Sequence, residues 1–167
     1  MRLDLNAVVA RLSEVLAGYR DLVLYAVIFG SLARGTPRVD SDIDVGLRPK
    51  PRQAGKLFEV LPELAVEVAD CLGLPIDRVD LALLDVEKCE NLSFLYEALA
   101  HGFLVWGDAE AYAEDLARIA SLYAGHLVQL RKLDYLRKYA EAYTRCTGSG
   151  WDCRALRPGE EERRVVG

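Results

Sequence analysis

The sequence predicts an α/β fold: a small mixed sheet of about four strands with flanking helices, followed by a long C-terminal helix. Three observations lead there. Strand-like segments recur at residues 22–29, 42–48, 79–84 and 103–106. Stretches with apolar residues at helical spacing lie around and between them, so helices and strands interleave. Residues 109–146 then read as one uninterrupted helix.

Each element has its own reason. Residues 4–18 place Leu5, Val8, Val9, Leu12, Val15 and Leu16 at helical spacing, and Gly18 supplies a stop. The run LVLYAVIF at 22–29 is apolar throughout, as in a strand covered on both faces. GSLARGTPRVDS follows, a glycine-flanked turn with a short helix inside it. DIDVGLR at 42–48 alternates strictly and reads as a second strand. The loop between these strands is too short for a crossover helix, so they are expected to be antiparallel neighbours. A helix is expected over 52–72, with Pro62 putting its continuity in question. VDLALL at 79–84 is a third strand, 88–101 a third helix, and FLVW at 103–106 a fourth strand closed by Gly107 and Asp108. The resulting plan is a core over 1–107, a long helix over 108–146 packed on it, and a flexible tail over 147–167.

Composition narrows the function. The chain has 167 residues, 51 % of them apolar, which suits one domain with a proper core. Its net charge of −5 argues against a general nucleic-acid binder, which carries a basic excess. The N-terminus MRLDLNAVVARLSEVL lacks a signal-peptide core, and no apolar run approaches the length of a membrane span. The expectation is a soluble, cytoplasmic protein that binds neither membrane nor nucleic acid directly. Of the four cysteines, none forms a C-x-x-C pair, so no zinc site is expected. Cys71 and Cys89 sit in apolar stretches and are expected as buried thiols. Cys146 and Cys153 bracket a Gly/Ser turn and are candidates for a bridge. Scarce Asn and Gln point to a heat-adapted source, the setting in which a cytosolic bridge is admissible.

The chemistry concentrates in one stretch. Gly30 and Ser31 directly follow the first strand, Asp42 and Asp44 come after ten intervening residues, and Asp80 lies in the third strand among apolar neighbours. Gly30 has no side chain, so a phosphate can approach the backbone there. Ser31 opens a short helix, whose N–H groups and dipole attract anions. Arg34, three residues on, shares its helical face and adds a charge-assisted phosphate contact. Asp42 and Asp44 alternate with core residues, so both carboxylates point the same way. Such a pair repels unless a cation intervenes. Magnesium, which takes a few carboxylates plus phosphates and water, fits that role. Asp80 completes the set from a neighbouring strand, and two ions roughly 3.5–4 Å apart would serve an in-line displacement. Asp80 is also placed to help take the proton of an attacking hydroxyl.

These residues resemble the polymerase-beta-like nucleotidyltransferase superfamily, and more narrowly its minimal prokaryotic members. The pattern is Gly-Ser, ten residues, Asp-x-Asp, then a strand aspartate, matched at Gly30, Ser31, Asp42, Asp44 and Asp80, with Ala33, Arg34 and Gly35 matching the loop. The resemblance covers roughly residues 22–107. It implies the polymerase-beta-like fold, a metal-dependent nucleotidyl transfer with Mg2+ and ATP, and catalytic and metal-ligating roles for Asp42, Asp44 and Asp80. Many small members are antitoxins paired with a HEPN-domain toxin, a helical ribonuclease, so the resemblance also implies AMP transfer to a toxin tyrosine. HEPN toxins carry an Arg and a His four to six residues apart. Here Arg118 and His126 are separated by seven, which places this chain on the antitoxin side.

Further features are less specific. Tyr135, Tyr139 and Tyr143 recur at four-residue spacing, among Arg131, Lys132, Arg137, Lys138 and Arg145. With two acids, residues 131–145 carry +3. Tyr135, Arg137, Lys138 and Tyr139 are therefore candidates for a partner-docking face, since Tyr and Arg favour interfaces. The plainer reading is an amphipathic helix with tyrosines at its core edge. His101 and His126 are expected to be structural or solvated, and Arg38, Ser41 and Trp151 are left without a role. Two other functions fit the chain. One is nucleotidyl transfer to a small molecule such as an antibiotic, with a homo-oligomer building the pocket. The other is an antitoxin that acts by contact alone.

Overall fold

Helix α1 (Leu5–Ala17) starts where the Asp4 carboxylate accepts the Asn6 N–H and ends at Gly18. Strand β1 (Val23–Phe29) follows, then the four-residue helix α2 (Gly30–Ala33), strand β2 (Ile43–Pro49) and helix α3 (Ala54–Leu72). A 3-10 turn at Ile76–Arg78 leads into β3 (Val79–Leu83). Then come α4 (Leu92–Ala100), β4 (Phe103–Gly107) and α5 (Ala109–Gly148). The structure is a computed structural model that describes residues 4–36 and 41–148, without the side chains of residues 139 and 142–148. Arg38, the expected Cys146–Cys153 bridge, Trp151 and the expected flexible tail over 147–167 lie outside the described residues, except for the helical backbone of residues 146–148.

The four strands form one mixed sheet in the order β3-β2-β1-β4. β1 is antiparallel to β2, as the short loop between them requires, and also to β4, while β3 joins β2 in parallel through the crossover helix α3. The alternation of β1 and β2 sorts residues between two faces. On one face Ala26, Ile28, Ile43, Val45 and Leu47 meet α1 and α3 through Leu12, Leu16, Leu57, Leu64 and Val68. On the other, Tyr25 and Val27 pack with Leu84, Leu95, Leu99 and Ile119. β1 is thus buried on both sides, which explains its lack of alternation.

Three local outcomes differ from the sequence reading. α3 continues through Pro62 without a break. Proline removes the hydrogen bond to the carbonyl four residues back, and that residue, Phe58, is 67 % exposed, so water can take its place. α4 begins at Leu92, four residues later than expected. The Asp85 carboxylate accepts the Lys88 N–H, Cys89 turns left-handed at φ 52°, and Asn91 then caps the helix at the Phe94 N–H. Cys71 and Cys89 are half-buried thiols rather than buried ones, each hydrogen-bonded through Sγ to a backbone carbonyl, of Arg11 and Val86 respectively.

The chain divides into two units, Met1–Ala124 and Gly125–Gly167. α5 is capped by the Asp108 carboxylate, which accepts the Glu110 and Ala111 N–H groups. Within the first unit its opening turns pack Tyr112, Leu116 and Ile119 against the sheet. Among the described residues no helix is long and apolar enough to cross a membrane.

A polar network ties α5 to β1 and β2. Asp115 accepts from Tyr25 Oη and from Arg48 Nε, both at 2.9 Å. The Arg48 and Asp115 side chains are only 12 % and 15 % exposed. Burial, then the Asp115 carboxylate, push the Tyr25 hydroxyl far above its ordinary range, so it remains a donor. Asp115→Ala leaves the Arg48 charge without its main partner in a dry site. Breaking such a pair costs about 3 kcal/mol, read as a melting temperature lower by about 10 °C. A variant melting within a degree or two of the parent would show that water replaces the carboxylate.

Candidate active site

The site forms where β1 ends and β2 and β3 run alongside. Phe29, the last residue of β1, pairs across the ladder with Asp44 of β2, and Asp44 in turn pairs with Asp80 of β3. The two aspartates are therefore direct neighbours on one sheet face, on strands about 4.8 Å apart. Asp42 lies two residues before Asp44, on the same side by alternation. The register brings Asp44 and Asp80 together, and Asp42, just before β2, lies close enough for its charge to act on Asp44.

Gly30 meets this cluster from the end of β1. Its φ is +69°, a conformation that side chains rarely adopt, and a Cβ there would overlap Asp44 Oδ2. Gly30 is thus required both by backbone and by space. It opens α2, where Ser31 is half-buried and no side chain caps the helix start. Arg34 follows at the helix end, with its N–H on the Gly30 carbonyl at 3.2 Å. Gly35, at φ +70°, turns the chain away.

Electrostatics single out Asp44. Its carboxyl is held above the ordinary value of 3.8, first by burial, then by the charges of Asp80 and Asp42, with Arg34 opposing. The Arg34 guanidinium stands 3.8 Å from Glu97 of α4. Asp42, 60 % exposed, stands 4.0 Å from Arg78 Nε. Arg78 also donates to the Ser41 carbonyl, so it holds the start of β2 against the start of β3. Two contributors were missed from the sequence: Arg78, at the end of the 3-10 turn just before β3, and Glu97. Both contacts join segments remote in sequence, and no motif marks either residue. Glu97 also lies 4.0 Å from His101 Nε2, consistent with a solvated histidine.

As placed, no three acidic, His or Cys side chains among the described residues close around one point as a finished metal cage does. The donor set nevertheless suits magnesium. Two carboxylates meet side by side and a third is adjacent. Burial, and after it the charges of Asp80 and Asp42, hold the Asp44 carboxyl above its ordinary value, and Arg34 opposes them. Magnesium takes its remaining ligands from phosphate and water, so a partial cage is what it needs.

The candidate docking residues lie in the second unit. At 100° per residue Tyr135, Lys138 and position 139 share one side of α5, while Arg137 falls on the opposite side. Arg137 and Lys138 each pair with Asp134, at 2.8 and 2.9 Å. The Tyr139 side chain is outside the described residues.

Comparison with known proteins gives a consistent picture. The family model for the polymerase beta nucleotidyltransferases matches residues 11–111. No curated protein matches the chain in sequence. Among solved structures, a toxin–antitoxin crystal structure with AMP-PNP aligns with TM-score 0.59 at 19 % identity, covering 79 % of this chain and 98 % of that one. The complex of a tri-AMPylated Shewanella oneidensis HEPN toxin with its MNT antitoxin aligns with TM-score 0.55 at 16 % identity, covering 81 % and 98 %. The MntA–HepT toxin–antitoxin aligns with TM-score 0.53, at the same identity and coverage. At these identities the likeness is one of fold.

Proposed function

The chain belongs to the polymerase beta nucleotidyltransferase family, and from that membership we propose that it is an antitoxin that transfers AMP from ATP to a tyrosine hydroxyl of a cognate HEPN ribonuclease toxin. The observation that carries the transferase reading is the Asp44–Asp80 pairing with Gly30 pressed against the Asp44 carboxylate. The choice of ATP and of a HEPN toxin is supported by the solved relatives, one with AMP-PNP and one with an AMPylated toxin.

In this reading the core over 1–107 performs the chemistry and the helix over 108–146 brings the partner. Gly30 lets the triphosphate lie against the backbone, and Ser31 and Arg34 donate to its oxygens. Glu97 holds Arg34 at the rim until phosphate competes for it. The incoming hydroxyl oxygen forms a bond to the α-phosphorus as the bond to the β-phosphate oxygen breaks, releasing pyrophosphate. Asp80, an exposed neighbour of Asp44 on the adjoining strand, accepts the hydroxyl proton. Two magnesium ions held by Asp42, Asp44 and Asp80 would supply, when bound, neutralisation of the phosphate charge. Tyr135, Lys138 and Tyr139, with Arg137 on the far side, are the proposed partner contacts.

Mass spectrometry of the cognate HEPN toxin, after incubation with this chain, ATP and magnesium, tests the proposal. One or a few AMP units should be added, and none by the Asp42→Asn, Asp44→Asn double variant. A stable complex with no mass gain would instead identify an antitoxin that acts by contact. Transfer only to small hydroxyl compounds would identify a small-molecule transferase.

A further inference from the structure

The second unit exposes more apolar surface than a solvated helix carries. Leu127, Val128, Leu130, Leu133, Tyr135 and Leu136 are all between 39 % and 63 % exposed. At 100° per residue they form two stripes rather than one. Leu130, Leu133 and Leu136 step by three residues across one arc. Val128 and Tyr135, seven apart, share the opposite side. A helix facing water shows apolar residues along a single face, and one that shows them on opposed faces is enclosed by protein. Exposed apolar area of this kind marks an interaction surface.

Charge says what encloses it. Residues 127–138 hold four bases, Arg131, Lys132, Arg137 and Lys138, against the single acid Asp134. By the same angular arithmetic Arg131 and Lys138 border the Val128–Tyr135 stripe on one side, and Lys132 borders it on the other. Asp134 is already engaged by Arg137 and Lys138. Two copies of this segment would set base against base across that stripe, and juxtaposed like charges oppose pairing. A surface that offers carboxylates around an apolar floor meets both requirements.

We propose that residues 127–138 of α5 are a docking helix that lies in an apolar, carboxylate-rimmed groove of a helical partner protein. The inference rests on the antitoxin reading for the partner's identity, and it specifies the surface that the toxin must offer. The mode is an amphipathic helix laid in a groove, with the leucines and Tyr135 as anchors and the bases as rim. Rim charges of this kind make association faster and sensitive to salt.

Two synthetic peptides of four heptads test the surface with the full chain. Both carry Leu at positions a and d, and one has Glu, the other Lys, at e and g. The glutamate peptide should bind and the lysine peptide should not. Binding should weaken at least about tenfold in the Leu133→Asp, Leu136→Asp double variant, a loss of about 1.4 kcal/mol. The circular dichroism spectrum should keep its helical signal. Equal binding of both peptides, or of neither, overturns the proposal. So does a chain that is dimeric alone and becomes monomeric in the double variant, because a second copy then covers the stripe. The toxin assay separates this outcome from the enzymatic reading. If the double variant modifies the toxin with an unchanged KM, the docking helix is wrong and the transferase stands. If the parent chain modifies no toxin yet binds the glutamate peptide, the transferase reading fails and the surface stands.

Discussion

Asp44→Asn is expected to lower the rate of nucleotidyl transfer by about a thousandfold while raising the stability of the metal-free protein. The two effects share a cause. The Asp44 carboxyl sits above its ordinary value of 3.8 because burial and the charges of Asp80 and Asp42 all disfavour ionisation. A group whose folded value is raised binds its proton more tightly in the folded state. Its contribution to stability is therefore complete below about pH 3.8, and it is lost as pH rises through the raised folded value. At neutral pH the ionised Asp44 is a net strain on the fold, and asparagine removes it. Metal-free Asp44→Asn should melt above the parent at pH 7, and the gap should close as pH falls toward 4. Magnesium with a triphosphate should reverse the order, because only the parent gains binding energy in the folded state. Thermal scans across pH, with and without magnesium and nucleotide, check the sign. A variant that is less stable at neutral pH would mean that a cation other than Arg34 already neutralises the cluster.

Much of this arrangement is legible in the amino-acid sequence, and the reason is periodicity. A strand repeats every two residues, so Asp42 and Asp44 must share a side once Ile43, Val45 and Leu47 are assigned to the core. The short connection over residues 30–42 gives β1 and β2 as antiparallel neighbours, because it leaves no room for a full crossover helix. What period alone does not give is register. That Asp80 lands beside Asp44 depends on how β3 slides along β2, and only the folded ladder decides it. The contacts of Arg78 with Asp42 and of Glu97 with Arg34 are hidden for the same reason, since each joins elements brought together by packing. Local chemistry also overrides pattern. The stretch before α4 looks helical, but the Asp85 and Asn91 side chains capture backbone N–H groups and delay the start. The docking residues show the converse. Tyr135 and Arg137 are two apart, and helical arithmetic already separates them onto different sides of α5.

Gly30→Ala should abolish transfer as fully as loss of Asp44, although alanine adds one methyl group and no charge. Two costs fall on that methyl. At φ +69° a residue with a Cβ is strained by about 1–2 kcal/mol. Its Cβ would also occupy the place of the Asp44 carboxylate, so the acid must swing off the face it shares with Asp80. Together these should remove about 2–4 kcal/mol of stability and break the cluster. Gly35 separates the two effects within the same loop. Its φ of +70° imposes the same strain, but a Cβ there meets nothing within 4 Å. Gly35→Ala should therefore cost about 1 kcal/mol and leave transfer close to the parent rate. Melting temperatures and transfer rates of the two variants, measured side by side, decide the matter. If both lose stability but only Gly30→Ala loses transfer, the space beside Asp44 is what the glycine protects. Equal loss of transfer in both would assign the requirement to the backbone turn of the loop, and the close approach of Gly30 to the carboxylate would then have no catalytic weight.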